Sequence, residues 1–413
     1  MSVFSTIRFL FLAMLVFCVC LPVHALDVDL FERNDTSLTL QLSSIQNLHD
    51  RVLVEQFHAM PSLTRINENP KQFSVTLDST PGILRYLKAA RLSGGIYVHL
   101  PQLCPSSNCE GIHFKVRGKI IMFGDAIAYD SMLINGSDAT HSAVFFTNEE
   151  KPRLQSAVYI GAEFSASAVN QLNDSFFAIR QAYREIAGYD LLAGRGILVT
   201  TARDSEGAKG FGGDFLNILR LTFHNRRDET EDEIVRLMVY TFAHEVAHAL
   251  HPAKLLEMSP QGRVVSEGSA DFLRVVILRH IGLLDKNQLT SIVSRAYDAC
   301  QHKRGSAGLL ERIAKKAAHF REYYDCGMIY YFAFMFDSMD SNTAAAEQGF
   351  ISSLLSVFKS APETNDDAQE CALISDGCKR WVLKQMTGNE DMLKAQRAWF
   401  DEKWQAYIHR HEE

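Results

Sequence analysis

The chain has 413 residues, 22% of them charged and 47% hydrophobic, with 24 Gly and 10 Pro. That composition excludes a disordered, collagen-like or linker-dominated protein, and the length is enough for two or three domains at roughly 150 residues each. A net charge of −7, from 42 basic and 49 acidic residues, argues against a general nucleic-acid binder, which would carry a basic face.

Residues 1–25 hold no acid and a single base, Arg8. Residues 9–21 are an unbroken apolar run, and Pro22-Val23-His24-Ala25 follows with short side chains before a cut after Ala25. This is the layout of a secretory signal peptide, and the run is too short for a comfortable membrane span. The expectation is an exported protein, periplasmic or secreted, with no stable span once the segment is removed. Past residue 25 the cysteines are Cys104, Cys109, Cys300, Cys326, Cys371 and Cys378. An even number in an exported chain points to disulfides. Local spacing pairs 104 with 109 and 371 with 378, and elimination then pairs 300 with 326.

Residues 36–42, 95–100, 112–123, 126–134 and 141–147 alternate or are rich in β-branched and aromatic residues, with turn formers between them. They predict a β-rich N-terminal domain over 26–160, with an early helix around 44–60. The period then changes. Residues 165–187 read as a helix with Phe176, Phe177, Ile179, Ala182 and Tyr183 on its apolar face. A strand follows at 196–201, then a turn at Gly210-Phe211-Gly212-Gly213-Asp214 and a strand at 215–223. An acidic start at 228–232 favours a helix N-terminus there, and Pro252 stops the helix predicted over 229–251. Beyond it, helices are expected over 264–282, 286–300, 307–338, 343–359 and 391–411. The fold class is therefore α+β: the β-rich domain, a central core over 161–285, and a helical region over 286–413.

The helix over 229–251 carries His244-Glu245-Val246-Ala247-His248. Two imidazoles four residues apart leave the same helix face and can share one ion, with Glu245 close to that ion but free to act on a water. Val239, Tyr240, Phe242 and Ala243 precede the motif, and Val246, Ala247, Ala249 and Leu250 lie within or after it. Burying two histidines and a glutamate in such a segment is costly without a partner, and a metal supplies one. A catalytic zinc needs a third protein ligand and one open position. Three residues are candidates: His251, Glu267 and Asp271.

His244-Glu245-x-x-His248, then eighteen residues, then Glu267, resembles the gluzincin zinc peptidases, the clan of thermolysin and alanyl aminopeptidase. The resemblance implies a thermolysin-like core with His244, His248 and Glu267 as ligands of Zn2+. It implies Asp271 as the carboxylate that orients the first histidine, although Asp271 as the ligand in place of Glu267 stays open. Tyr324-Asp325-Cys326-Gly327 is similar to the Tyr-x-Lys-Gly helix of the alanyl and glycyl aminopeptidases, in which the tyrosine donates to the oxyanion; Tyr324 takes that position and Tyr323 is the next choice. Two departures stand out. Cys326 replaces the lysine, and Gly212-Gly213-Asp214-Phe215-Leu216-Asn217 has no counterpart of the glutamate that captures a free N-terminus in that family. The resemblance covers 165–360.

What the resemblance implies is an exported zinc metallopeptidase acting on a peptide or protein substrate, with Glu245 as general base and Tyr324 as oxyanion donor. Two rivals share the same residues. One is a binding protein that keeps the zinc as a staple, against which the presence of Glu245 speaks. The other is a zinc hydrolase of an amide or ester that is not a peptide.

Overall fold

A computed structural model describes residues 26–34, 37–42, 55–57, 60, 63–66, 69, 71–75, 89–92, 95–105, 109, 111–122, 127–135, 143–147, 158–161, 164–193, 195–202, 210–215, 219–224, 229–251, 260–302, 321–338, 344–360 and 390–409. The expected signal peptide, Cys371 and Cys378, most of the helix expected at 44–60 and the first part of the one expected at 307–338 lie outside these residues. The protein is mixed helix and strand, and it divides into two compact units, Met1–Leu154 and Gln155–Glu413.

The first unit is built on a nine-stranded sheet: β1 (Leu26–Asn34), β2 (Ser37–Leu42), β3 (Leu63–Arg65), β4 (Gln72–Val75), β5 (Ala89–Leu92), β6 (Gly95–His99), β7 (Ile112–Met122), β8 (Ile127–Asn135) and β9 (Ala143–Thr147). The strand order is β3-β4-β2-β1-β7-β9-β6-β5, with β8 also on β7. β1 pairs antiparallel with β2 and parallel with β7. Leu26, Val28 and Leu30 of β1 and Ile112, Phe114 and Val116 of β7 are buried, the period-two pattern of a sheet with one wet face. On the other face Arg117 meets Asp29 at 2.8 Å. Sequence reading placed no strand before residue 36. Asp27 and Asp29 are poor strand formers, but pairing on both sides and burial of the alternate residues outweigh that propensity. Cys104 and Cys109 are disulfide-paired beside this sheet.

The second unit combines a four-stranded sheet with seven described helices. Its strands are β10 (Val158–Ile160), β11 (Ile197–Ala202), β12 (Gly210–Phe215) and β13 (Leu219–His224), in the order β10-β11-β13-β12. The helices are α1 (Ala166–Ala187), α2 (Glu231–His248), α3 (Pro260–His280), α4 (Lys286–His302), α5 (Arg321–Ser338), α6 (Ala344–Ser360) and α7 (Glu390–His409). Residues 210–214, expected to be a turn, belong to strand β12, which runs antiparallel to β13 with Gly213 opposite Leu221 and Asp214 opposite Arg220. Three glycines lower strand propensity, but β13 supplies the ladder that a local reading does not see. β13 is consequently an inner strand, between β11 and β12, and among the described residues β12 and β10 are the edges. Both strands pack on α2.

α2 starts where its sequence dictates. Thr230 caps it: its hydroxyl accepts from the Glu233 N–H at 3.3 Å, and the Glu233 carboxylate accepts from the Thr230 N–H at 2.8 Å. Glu231 in the first turn accepts from the N–H and hydroxyl of Ser165, the N-cap of α1, and so ties the two helix starts together. Further along, Phe176 of α1 stacks on Phe242 with centroids 4.0 Å apart, and the buried Tyr183 hydroxyl donates to the Ala243 carbonyl at 2.8 Å. α1 thus fixes α2 directly before His244. α2 ends at His248, and a turn carries the chain on to His251.

α5 crosses α3 at two glycines. A Cβ on Gly327 would stand 2.5 Å from the Gly268 Cα, and one on Gly268 would stand 2.4 Å from the Gly327 Cα. Only hydrogen fits there, and the two backbones touch. α5 is buried on all sides from Asp325 to Phe336, with Phe332 and Phe336 packed on Trp404 and Tyr407 of α7. Cys326 is disulfide-paired with Cys300 of α4.

Candidate metal centre

The hydrophobic side chains of α2 face the core, and His244, Glu245 and His248 are buried with them, at 5%, 8% and 7% exposure. α3 supplies the opposite wall with Ser266, Glu267, Ser269 and Asp271. Three atoms converge between the helices. The Nε2 atoms of His244 and His248 are 3.0 Å apart, and Glu267 Oε2 lies 3.2 Å from the first and 3.4 Å from the second. Among the described residues, this is the one cluster of three such side chains whose ligand atoms lie within 4.8 Å of one another.

The spacing tests whether a metal fits. A tetrahedral ion held at about 2.0–2.1 Å by each donor requires donor atoms about 3.3–3.4 Å apart. The observed 3.0, 3.2 and 3.4 Å are close to that value, and two imidazoles with one carboxylate are ligands suited to zinc. Glu267 is the open side of the cluster, its side chain 24% exposed.

The neighbouring groups orient the donors. Asp271 is 1% exposed and sits 2.6 Å from His244 Nδ1, while its other oxygen meets Arg274 at 3.1 Å. A carboxylate on Nδ1 fixes the proton there and turns the Nε2 lone pair into the cluster. Asp271 therefore faces the nitrogen opposite the cluster. His251, the other alternative considered as a ligand, also turns away: its Nδ1 is 3.1 Å from His248 Nδ1 and its Nε2 is 2.8 Å from Ser269 Oγ.

Charge follows from these contacts. Burial alone would depress the His244 imidazole, but Asp271, Glu267 and Glu245 override it and push it up to about 9. Burial would raise Glu267; the imidazoles of His244 and His248 against it more than reverse that and hold it far below the ordinary range. Asp271 is likewise held down, against burial, by Arg274 and His244. Burial, with His248 beside it, pushes His251 well below its usual value, so that ring is neutral.

Tyr324 lies over the His244 ring, with centroids 5.5 Å apart and planes inclined at 28°. Burial, then its hydrogen bond to Glu267, and then Glu245 and Asp271, push its hydroxyl upward, so it is protonated and a donor. Tyr324 is three residues before Gly327, and Glu267 directly precedes Gly268, so the glycine crossing brings the helix segments that carry them together. Glu245 directly follows His244 on α2 and is buried beside it.

The structure thus brings His244, His248, Glu267, Asp271 and Tyr324 together in this one region, with Glu245 beside His244 on α2. Sequence reading missed Arg274, His251 and Ser269 as their supports. The spacing of Arg274 from Asp271, three residues along one helix, was a visible signal. No spacing rule links His251 to Ser269, because a helix end and residues 252–259 intervene.

Sequence comparison finds no family model that matches the chain and no curated protein that does. Among solved structures, the chain is similar to an M1 zinc metallopeptidase from Deinococcus radiodurans, with 11% identity and a TM-score of 0.44 over 89% of this chain and 93% of that one. It is also similar to a mutant of an M1 zinc metallopeptidase from the same organism bound to a Tyr-Ser-Ala substrate, with 11% identity and a TM-score of 0.39 over 93% of each chain. Both of these structures are zinc metallopeptidases of the M1 type.

Proposed function

We propose that this protein is a zinc-dependent metallopeptidase of the gluzincin kind, with a thermolysin-like core, that hydrolyses peptide bonds outside the cytoplasm. The observation that carries the reading is the convergence of His244 Nε2, His248 Nε2 and Glu267 Oε2 at separations that suit one tetrahedral ion, beside a buried glutamate and a protonated tyrosine. His244, His248 and Glu267 would hold the zinc. When bound, zinc supplies Lewis acidity toward the scissile carbonyl and the attacking water.

The chain's own residues do the rest. Glu245 takes a proton from the water as its oxygen bonds to the carbonyl carbon, and returns that proton to the amine nitrogen as the C–N bond breaks. The Tyr324 O–H exchanges its hydrogen bond to Glu267 for one to the oxygen that gains charge on the substrate. Among the described residues β12 is an edge strand of the sheet on which α2 packs, and an extended peptide can add to that edge through backbone hydrogen bonds. The pairs Cys104–Cys109 and Cys300–Cys326 support an oxidising location, since disulfides persist there. Among the described residues no helix is long and apolar enough to cross a membrane.

The test is digestion of a mixed peptide library by wild type and Glu245→Gln, with product ends read by mass spectrometry and metal content measured on both. Glu245→Gln is expected to keep its zinc and to lose turnover by on the order of 10²–10⁴-fold, the range for a general base. Equal cutting by both proteins would refute the mechanism, and cutting by neither would favour a zinc-stapled binding protein.

A further inference from the structure

We propose that His251 is a positioning residue for the metal centre. With Ser269 it forms a relay of directed hydrogen bonds that locks His248 in the one tautomer able to ligate through Nε2. The inference rests on the proposed metal site and assigns a role within it to a residue outside the ligand set.

The direction of the relay is fixed from its far end. Ser269 Oγ lies 3.1 Å from the Ser266 carbonyl, which can only accept, so the single hydroxyl proton of Ser269 is committed there. His251 Nε2 is 2.8 Å from the same Ser269 oxygen. With the serine proton committed, that contact requires His251 Nε2 to be the donor. A neutral imidazole with its proton on Nε2 has a lone pair on Nδ1. His251 Nδ1 faces His248 Nδ1 at 3.1 Å, so His248 must donate from Nδ1. The Ser266 hydroxyl, at 3.4 Å from His248 Nδ1 and 3.5 Å from His251 Nδ1, is a longer contact that either assists the same donor or donates to the same acceptor. In both cases His248 keeps its proton on Nδ1 and presents a bare Nε2 to His244 and Glu267.

The relay is built rather than incidental. Its three residues are buried, Ser269 at 0%, Ser266 at 3% and His251 at 7% exposure. The His251 ring is held edge-to-face on Phe358 of α6, with centroids 4.9 Å apart. The two histidine ligands are thus oriented by unlike partners: His244 by an ionised carboxylate, His248 by a neutral ring. A neutral acceptor fixes the tautomer without placing another negative charge beside the ion.

The test compares full-length wild type, His251→Leu and His251→Asn. Asparagine can place its carbonyl oxygen where Nδ1 stands and accept from His248; leucine cannot. Zn2+ affinity is measured by chelator competition, and the visible spectrum of the Co2+-loaded protein reports ligand geometry. The expected result is a loss of affinity of about 10–100-fold in His251→Leu with an altered Co2+ spectrum, and recovery of both toward wild type in His251→Asn. Wild-type affinity and spectrum in His251→Leu would overturn the relay and leave the metal site standing. Failure of the wild type to bind either metal would overturn the site itself and the relay with it. Should both variants unfold, 15N spectra of histidine-labelled wild type decide: His251 protonated on Nε2 and His248 on Nδ1 is the expected pattern, and the reverse overturns the relay.

Discussion

Asp190 shows how a single side chain contributes to the pH response of this fold. Its carboxylate accepts from Arg180 Nε at 2.9 Å and from the Leu192 N–H at 3.1 Å, which closes the turn after α1. The hydrogen bond from Arg180 outweighs burial and holds Asp190 below the ordinary aspartate range. Because the folded value is depressed, the stabilisation is fully present above the unfolded value of about 3.9 and fades as pH falls through the lower folded one. Asp190→Asn is expected to lower stability at pH 7 by about 1 kcal/mol, with the gap to wild type closing in acid; urea melts at pH 7 and pH 3 check this. The candidate ligands were legible at this same scale. His244, His248 and Glu267 stand at a spacing that chemistry restricts, and Asp271 follows one turn later. Tyr324 was separable from Tyr323 only through the resemblance; in the structure Tyr324 is the one whose ring lies over His244. The role of His251 was illegible because it depends on which proton each partner holds, and that is settled by contacts across two helices.

At the scale of elements, the α3–α5 crossing links stability to the candidate site. Gly327 has no room for a Cβ, which would stand 2.5 Å from the Gly268 Cα and 2.7 Å from the Val264 carbonyl oxygen, both backbone atoms that cannot swing away. Gly327→Ala is expected to destabilise by about 1–3 kcal/mol or more, to lower the melting temperature, and to reduce turnover further by lifting Tyr324 off Glu267. Gly349→Ala, in α6 with nothing within 4 Å of its Cβ, is the matched control. It should instead stabilise by about 0.5–1 kcal/mol through helix propensity. Thermal melts of the two variants, made by the same chemical change, should shift in opposite directions. Helix positions were readable because their apolar faces repeat every three to four residues. Strand β12 was not, since three of its residues are glycines and its partner β13 decides its state. That miss matters for function, because it puts Gly210–Phe215 at an edge of the described sheet and most of the strand read at 215–223 inside it.

Across the whole molecule, every group of the candidate site comes from the unit Gln155–Glu413. Zinc bound by α2 and α3 would cross-link two helices that the contact of Asp271 with His244 already joins. Removal of zinc by a chelator should therefore speed amide exchange in α2, α3 and the adjoining α5 while leaving β1–β9 unchanged, as read by hydrogen–deuterium exchange. At a free-metal level of 1,000 times the dissociation constant the expected stabilisation is about 4 kcal/mol. The first unit carries a different constraint. β1 lies inside its sheet, between β2 and β7, and its leading residue Leu26 is only 1% exposed. Shortening the chain as far as Leu26 keeps all nine described strands. Trimming through Asn34 would strip the shared neighbour from β2 and β7 at once and open two raw edges in the middle of a nine-stranded surface, each a template for pairing with another copy. The fold therefore sets its own limit on how far this end can be trimmed before the product turns from a folded protein into an aggregating one.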